Sequence, residues 1–331
     1  MMENQPHPCT IGILYPGEMG SSLGKLLSEA DSSVITTLEG RSPRTQRICR
    51  EAGLSVVDSL SEVIDRCDIV ISLVSPASAL SVAKDVVAHR DNFSRSLLYI
   101  DANSISPMTV AQISDVLDRA AIDFVDASIF GLASQLRQRG TLYLSGPRAK
   151  EVLDLFKPIP RVKVVGDTPG QASALKMIVA GIPKGLSALF IETMLFAHDM
   201  QLLDQAVEAC DEIYPSIMEV VRRMLPTYPQ HAARRCEELK EVEETMLIGG
   251  LTPLIMHAVR EVTSALVDPG WQQRDGQQWT IAELIEEIQN HGALRSSQSH
   301  PPPERLDKNG SGSGEQPFAA GARSAPQAQV P

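Results

Sequence analysis

The sequence lacks the marks of several large classes of protein. Its five cysteines are scattered without a C-x-x-C pair, which argues against a disulfide scaffold or a zinc site and favours reduced thiols. The first ten residues carry no secretory hydrophobic region. No apolar run of about 18 residues occurs without interruption, since the most hydrophobic stretch, 177–197, contains Lys184 and Glu192. These absences predict a soluble cytoplasmic protein.

An excess of positive charge is also missing. The formal net charge of −11 argues against nucleic acid or an anionic membrane as the main partner. No grouping of His, Asp and Glu has the spacing of metal ligands, and no G-x-S-x-G nucleophile elbow occurs. We therefore expect a small-molecule substrate, no nucleic acid, no membrane and no metal. The 331 residues, 43% of them hydrophobic, suffice for two domains with sizeable cores.

Short apolar runs alternate with helical patterns over the first half of the chain. The runs are continuous in Val, Ile and Leu rather than alternating, as in parallel strands covered on both faces. Strands are predicted at 11–14, 33–38, 69–74, 97–101, 123–126, 141–145 and 162–165, and helices at 21–29, 44–52, 60–66, 77–87, 108–120 and 149–156. This alternation predicts an α/β fold with a Rossmann doubly wound sheet at the N-terminus.

The pattern changes at Gly170, after which strand signals become rare and an all-α C-terminal domain is expected. Helices are predicted at 171–198, 203–225, 232–247, 253–267 and 280–289. The final residues combine abundant Pro, Gly and Ser with low hydrophobicity, which predicts disorder. The expected organisation is a Rossmann domain over 1–168, a helical domain over 169–290, and a disordered tail over 291–331.

A glycine turn follows the first predicted strand. Gly17 and Gly20 lie between 11–14 and a helical pattern, as in turns that hold a pyrophosphate at a helix N-terminus. Tyr15 stands where the G-x-G-x-x-G fingerprint has its first glycine, and Pro16 lacks an N–H group. The backbone N–H groups expected to donate to the phosphates are those of Glu18, Met19 and Gly20.

The segment after the second strand indicates which cofactor is bound. An acidic residue there accepts the ribose hydroxyls of NAD, whereas an arginine accommodates the 2′-phosphate of NADP. Gly40 occupies the critical turn, directly after Glu39. The expected phosphate cradle consists of Arg41, Ser42, Arg44 and Thr45. We expect NADP(H). An ordinary solvated basic loop is the alternative, and Glu39 would favour NAD if its carboxylate turned into the site.

Four further segments, in order, resemble the β-hydroxyacid dehydrogenase and 6-phosphogluconate dehydrogenase group. They read LVSPAS (73–78), YIDANSISP (99–107), VDASIFGLASQLRQRGTLYLSG (125–146) and GQASALKMIVAG (170–181). The resemblance implies that the first segment lies beside the nicotinamide and its ribose, and that Asn103 and Ser104 orient the nicotinamide amide or the substrate oxygen. The cofactor contacts implied in this way are Val74, Ser75, Pro76 and Asn103.

The same resemblance makes Lys176 the general acid/base, on the long helix between the domains. Apolar surroundings suit this role, because desolvation lowers the pKa of a lysine towards the working range. Lys184 lies two turns later on the same face and is expected to contact the substrate or act as a second proton donor. Ser104 completes the catalytic candidates. The asparagines that follow the family's lysine are replaced here by Val179 and Ala180.

The predicted substrate residues are Ser128, Phe130 and Gly131, in the segment that resembles the family's carboxylate-binding loop. Ser128 replaces the loop's proline, Phe130 its serine and Leu132 its second glycine. A substrate carboxylate would lose a hydroxyl donor and meet an aromatic ring. An apolar or cyclic imine suits this altered loop, so an imine reductase is a second interpretation.

The sequence and its family resemblance thus predict an NADP-dependent oxidoreductase that transfers a hydride between NADP(H) and a small hydroxy or carbonyl substrate. The resemblance further implies a homodimer in which the helical domain is the substrate and dimerisation domain. A non-catalytic NADP-binding sensor is the alternative from another class. One basic cluster lies outside the expected site: His231, Arg234 and Arg235, near a helix start. It either holds an anion for the cleft or a partner subunit, or lies on a solvated helix face.

Overall fold

The computed structural model describes residues 9–89, 96–272 and 278–295. Within these ranges the first half of the chain forms an eight-stranded sheet with the order β3-β2-β1-β4-β5-β6-β7-β8. The strands are β1 (Thr10–Leu14), β2 (Ser33–Thr37), β3 (Ser55–Val57), β4 (Ile69–Ser72), β5 (Leu98–Asp101), β6 (Asp123–Phe130), β7 (Thr141–Ser145) and β8 (Arg161–Gly166). Neighbouring strands are parallel except β6 and β7. The strand order reverses between β1 and β4, which leaves a crevice at their carboxyl ends.

Helices cover both faces of this sheet. They are α1 (Glu18–Ser28), α2 (Pro43–Glu51), α3 (Leu60–Arg66), α4 (Ala79–Ala88), α5 (Pro107–Arg119) and α6 (Leu136–Arg139). On one face Leu23 of α1 belongs to a fully buried cluster with Ile13 of β1. On the other face Val63 of α3 and Ile113 of α5 share a buried cluster with Leu14. Strands buried on both faces explain the continuous apolar runs, and the predicted Rossmann doubly wound sheet is confirmed.

The second half of the chain is helical, as predicted. Its helices are α7 (Gln171–Asp199), α8 (Leu203–Ile213), α9 (Pro215–Met224), α10 (Ala232–Ile248), α11 (Leu254–Ser264), α12 (Pro269–Gln272) and α13 (Ile281–Asn290). A core that includes Ile191, Leu225, Tyr228 and Leu284 holds them together. Among the described residues, α7 is long and apolar enough to cross a membrane by length and composition. In this fold α7 packs against β6 and against α8, α9, α10, α11 and α13, and buried core helices pass the same test.

The structure corrects several boundaries. The sequence predicts no strand at 55–57, where the short edge strand β3 lies. The predicted helix 149–156 is wrong, because the segment forms turns and a 3-10 turn at Asp154–Phe156. The single predicted helix 203–225 is divided into α8 and α9. Pro215 disfavours helical backbone in the preceding residue, and Tyr214 has φ −128° and ψ 50°.

The end of the described chain follows α13. Thr280 caps this helix with a reciprocal pair of bonds to Glu283, which fixes its N-terminus. Residues 291–295 form a turn. The predicted disordered tail lies outside the described residues from 296 onwards, and the predicted domain boundaries stay predictions.

Candidate active site

A cavity of about 790 Å³ opens at the carboxyl ends of β1, β4 and β5. Its walls come from the turns that follow these strands, from the loop after β2, from β6, and from α1, α2, α4, α7 and α10. The volume falls in the range of about 300–1,000 Å³ that holds small ligands and cofactors. The cavity lies where the strand order reverses, which is the usual ligand site of an open α/β sheet.

The glycine turn forms one wall of this cavity. Gly17 precedes the first turn of α1, whose N–H groups have no acceptor within the helix. A Cβ atom added to Gly17 would meet nothing within 4 Å, so space beside the backbone is open to a ligand. A Cβ atom added to Gly20 would make ordinary contacts of 3.5–3.6 Å with Ile13, Pro16 and Leu73. Gly17, Glu18, Met19 and Gly20 all line the cavity.

Two arginines come from the segment after β2, Arg41 from the loop and Arg44 from the first turn of α2. Arg41 and Arg44 line the cavity together with Thr45, as the sequence predicts for the 2′-phosphate end. Arg44 also forms an ion pair with Glu18 at 2.6 Å, in which both side chains are largely exposed. Ser42 is placed differently. Its hydroxyl accepts the N–H of Thr45 as the N-cap of α2, and it does not line the cavity.

Tyr15 has a role that sequence reasoning missed. Its ring lies beneath the guanidinium of Arg41, at 4.1 Å from the ring centroid, and its side chain lines the cavity. A cation over an aromatic face is attracted to it, so Tyr15 orients Arg41. The aromatic residue in place of the first fingerprint glycine was the available signal. Glu39 is exposed and does not line the cavity.

Asn103 ties together the ends of two adjacent strands. Its side-chain oxygen accepts the N–H of Val74 at 2.6 Å, and its amide donates to the hydroxyl of Ser72 at 3.0 Å and to the carboxylate of Asp101 at 2.7 Å. Burial raises the pKa of Asp101 to about 7. Because these bonds occupy the amide of Asn103, its side chain holds the loop at Val74 in place. The adjacent Ser104 lines the cavity.

Lys176 stands in the second turn of α7 and lines the same cavity as the glycine turn. Asp126 fixes the start of this helix, because its carboxylate accepts the N–H groups of Gly170 and Ser173 and the hydroxyl of Ser173. Desolvation lowers the pKa of Lys176 from 10.5 to about 8, against the opposing charge of Glu238. Among the described residues its amino group has no hydrogen-bond partner. Such a group is suited to give and take protons near neutral pH.

Lys184 is not part of the cavity wall. Its side chain is buried, with Nζ 3.0 Å from Oε2 of Glu238 and 3.3 Å from the carbonyl oxygen of Ala180. The other oxygen of Glu238 lies 3.6 Å from Nε of Arg234. Arg234, from the first turn of α10, does line the cavity. The basic cluster near this helix start therefore reaches the site through one of its members.

The predicted substrate residues are placed away from the cavity. Ser128 is fully buried, and Phe130 packs edge-on against Tyr143 with ring centroids 5.2 Å apart. Neither residue lines the cavity, nor does Gly131, whereas Ile129 between them does. Side chains alternate along a strand, and β6 continues through these positions. Their roles in binding stay predictions.

Of the cofactor contacts predicted in the loop after β4, two line the cavity and one does not. Val74 and Ser75 line the cavity, but Pro76 does not. The hydroxyl of Ser75 lies 2.9 Å from that of Ser78, which keeps the loop compact.

Within the described ranges no group of three or more His, Cys, Asp or Glu side chains is arranged to hold a metal ion.

The fold and the cavity define a protein of the dinucleotide-binding oxidoreductase class. Residues 10–162 match the NAD binding domain of 6-phosphogluconate dehydrogenase. Residues 197–266 match a domain of unknown function, DUF1932. The conserved protein MTH1747, described as structurally similar to 3-hydroxyacid dehydrogenases, is 32% identical, with 78% of this chain and 96% of that chain covered and a TM-score of 0.63. The chain belongs to the 6-phosphogluconate dehydrogenase-like family of nicotinamide-dependent oxidoreductases, as the sequence resemblance predicts.

More distant solved structures share the fold. The 3-hydroxyisobutyrate dehydrogenase of Mycobacterium tuberculosis, in a structure with L-serine, is 16% identical over 85% of this chain and 99% of that chain, with a TM-score of 0.64. A variant imine reductase from Myxococcus stipitatus, in complex with NAD+, is 16% identical over 85% of this chain and 99% of that chain, with a TM-score of 0.53. Hydroxyacid dehydrogenases and imine reductases therefore both share this architecture.

Proposed function

We propose that the protein is an NADP(H)-dependent oxidoreductase that transfers a hydride between NADP(H) and a small hydroxy or carbonyl substrate, with Lys176 as general acid/base. One observation carries this proposal. Lys176, with its pKa lowered to about 8, lines the same cavity as the glycine turn and Arg41. This arrangement supports the proposal, because a lysine suited to proton transfer and a turn suited to a pyrophosphate line one cavity.

The residues present fit a dinucleotide. The free N–H groups at the start of α1 would take the pyrophosphate, and the open space beside Gly17 admits it. Arg41 and Arg44 would take a 2′-phosphate, because a planar guanidinium matches phosphate oxygens. When bound, NADP(H) supplies or accepts the hydride. The loop at Val74 and Ser75, next to Lys176 in the cavity wall, would hold the nicotinamide end.

The chain's own residues would handle the proton. In reduction, Nζ of Lys176 gives its proton to the substrate oxygen, and in oxidation it removes the hydroxyl proton. Ser104 would hold that oxygen, since its side chain lines the cavity with Lys176. Asn103 would act by positioning the Val74 loop. Lys184, outside the cavity, would act through its ion pair with Glu238.

An imine reductase is the second candidate. The observation that favours it is the apolar contribution of β6, which places Ile129 in the cavity wall and keeps the hydroxyl of Ser128 buried. Steady-state assays with a cyclic imine such as 1-pyrroline beside a panel of hydroxy acids and their oxo forms separate the two. A preference for the imine of more than about tenfold in kcat/KM, roughly 1.4 kcal/mol of transition-state discrimination, would select it.

We also propose a cytoplasmic homodimer. The face of α7 opposite its buried side carries exposed apolar side chains at Ile178, Ile182, Leu189 and Phe196, which share one side of a helix with 3.6 residues per turn. Contiguous exposed apolar surface marks an interaction site, and a two-fold dimer pairs such a stripe with itself. Light scattering should give twice the chain mass for wild type and a monomer for Ile182→Glu/Leu189→Glu. A monomeric wild type would contradict the dimer.

The experiment that tests the function combines binding with turnover. Wild type should consume NADPH with members of a panel of small carbonyl compounds. Lys176→Ala should bind NADPH normally while turnover falls by about 10²- to 10⁴-fold, the usual contribution of general acid/base catalysis. Lys150→Ala, an exposed lysine outside the cavity, is the matched control and should have no effect. Retained turnover in Lys176→Ala would refute the assigned role. NADPH that binds without ever being consumed would favour the non-catalytic sensor.

A further inference from the structure

Strand β6 does not offer a polar group to a substrate in this cavity. Of residues 128–131, Ile129 lines the wall. The hydroxyl of Ser128 is buried and has no hydrogen-bond partner among the described residues. The ring of Phe130 packs on Tyr143. An apolar wall cannot pair with an anion, so a substrate anion would need a partner on another element.

Arg234 is the permanently charged group at the Lys176 end of the cavity. It comes from α10, two-thirds of its side chain is exposed, and it lines the cavity with Ser104 and Lys176. Its Nε faces Glu238, whereas its terminal nitrogens have no partner within the part of the chain that the structure describes. Two adjacent N–H groups of a guanidinium match the two oxygens of a carboxylate.

The side chain of Arg234 is held by a chain of ion pairs. The buried amino group of Lys184 takes one oxygen of Glu238, and the other oxygen faces Arg234. Because Lys184 is on α7 and Glu238 on α10, this arrangement also joins the helix that carries Lys176 to the helix that carries Arg234. Glu238 therefore places a negative charge beside Nε of Arg234 and leaves the outer edge of the guanidinium available.

We propose that Arg234, positioned by Glu238 and Lys184, binds an anionic group of the substrate, a carboxylate, and thereby determines the substrate class at this site. This inference rests on the oxidoreductase function proposed above. Lys176 is unsuited to the same task, since a proton-transfer group alternates between charged and neutral forms. An arginine keeps its charge at every working pH.

Binding to the full-length protein saturated with NADPH tests this inference without turnover, because the reduced cofactor cannot accept a hydride from a hydroxy acid. The probes are small 3-hydroxy acids, 3-hydroxybutyrate and 3-hydroxyisobutyrate, each beside its methyl ester, measured by calorimetry. Wild type should bind an acid at least about tenfold more tightly than its ester, the scale of one charge-assisted hydrogen-bond pair. Arg234→Ala should remove that preference by weakening the binding of the acid. The affinities for the ester and for NADPH should stay unchanged. Arg234→Lys should restore part of it.

Two further variants separate position from charge. Glu238→Gln should weaken acid binding several-fold without changing ester binding, because the arginine loses its anchor. Arg223→Ala, an exposed arginine of α9 outside the cavity, is the matched control and should change neither. Equal affinity of wild type for acid and ester, no binding of either acid, or an unchanged preference in Arg234→Ala would each overturn the inference.

The outcomes also distinguish this inference from the proposed function. If acid binding depends on Arg234 but the protein never consumes NADPH, the proposed anion site is supported and the proposed oxidoreductase function is refuted. If wild type and Arg234→Ala both turn over acids and esters with equal kcat/KM, the oxidoreductase function is supported and the proposed anion site is refuted.

Discussion

The carboxylate of Asp126 accepts the hydroxyl of Ser173 at 2.6 Å and so attaches the first turn of α7 to strand β6. It also accepts the hydroxyl of Ser145 at 2.8 Å and the N–H of Gly170 at 2.9 Å. Lys176 follows in the next turn. The position of the proposed acid/base is therefore set by one fully buried carboxylate, not by the flexible reach of the lysine alone.

Asp126→Asn should damage both stability and turnover. The amide keeps one acceptor oxygen and turns an NH2 group towards donors, so several buried hydrogen bonds are lost together. The free energy of unfolding should fall by about 3 kcal/mol, as when an acceptor shared by several buried hydrogen bonds is removed. Urea denaturation measures this loss. Ser173→Ala, which removes a single hydroxyl, should cost about 1 kcal/mol, and an equal cost for both variants would contradict the central position of Asp126.

Gly17→Val should separate folding from cofactor binding. The backbone at Gly17 has φ −73° and ψ −157°, which any residue can adopt, and an added Cβ would touch nothing within 4 Å. The melting temperature should therefore stay close to that of wild type. NADPH affinity should fall by about 100-fold or more, because the side chain fills the approach to the pyrophosphate site. Fluorescence titration with NADPH checks this, and unchanged affinity would show that the dinucleotide does not use this turn.

Arg41→Ala should change the choice of cofactor. Its guanidinium lines the cavity above the ring of Tyr15 and is the proposed partner of the 2′-phosphate. Losing the guanidinium should weaken NADPH binding by about 10- to 100-fold, which is the scale of charge-assisted hydrogen bonds. The affinity for NADH should stay nearly unchanged. Arg47→Ala, on α2 and outside the cavity, is the control for general charge effects. Equal losses for both cofactors in Arg41→Ala would contradict NADP selectivity.

The pH dependence of kcat should have opposite signs for reduction and for oxidation of the substrate. The folded protein lowers the pKa of Lys176 to about 8, mainly by desolvation. Reduction needs the protonated lysine, so kcat should fall as the pH rises through about 8. Oxidation needs the neutral lysine, so kcat should rise through the same range. Glu238→Gln removes a charge that raises this pKa, and both limbs should then move to lower pH. Limbs that stay in place in Lys176→Met would assign them to another group.

Local patterns predict much of the fold and one side of the site. The strands at Ile69–Ser72 and Leu98–Asp101 follow from continuous apolar runs, since a buried parallel strand needs no contribution from distant sequence to be recognised. The glycine turn at Gly17 and the arginines at Arg41 and Arg44 follow from their place directly after strands. Each of these signals lies within a few residues of the element that creates it.

The other side of the cavity depends on contacts that a single segment does not contain. Arg234 lines the same cavity as Lys176 because α10 packs on α7, and nothing near residue 234 indicates that packing. The predicted substrate residues around Ser128 lie outside the cavity wall for a different reason. The strand pattern predicts an end at residue 126, whereas β6 continues to Phe130 and its alternation turns Ile129 to the cavity. Resemblance to a family loop cannot reveal that change of side-chain direction.

Transfer of deuterium from NADPH that carries deuterium at both C4 positions tests the central claim most directly. Wild type and Lys176→Met are incubated with the labelled cofactor and a panel of small carbonyl compounds, and the products are weighed by mass spectrometry while NADPH affinity is measured on the same preparations. The account predicts one deuterium per product molecule with wild type, and transfer slowed by about 100-fold or more in Lys176→Met at equal NADPH affinity. Transfer at the wild-type rate in Lys176→Met, or tight binding of NADPH without label in any product of wild type, would contradict it.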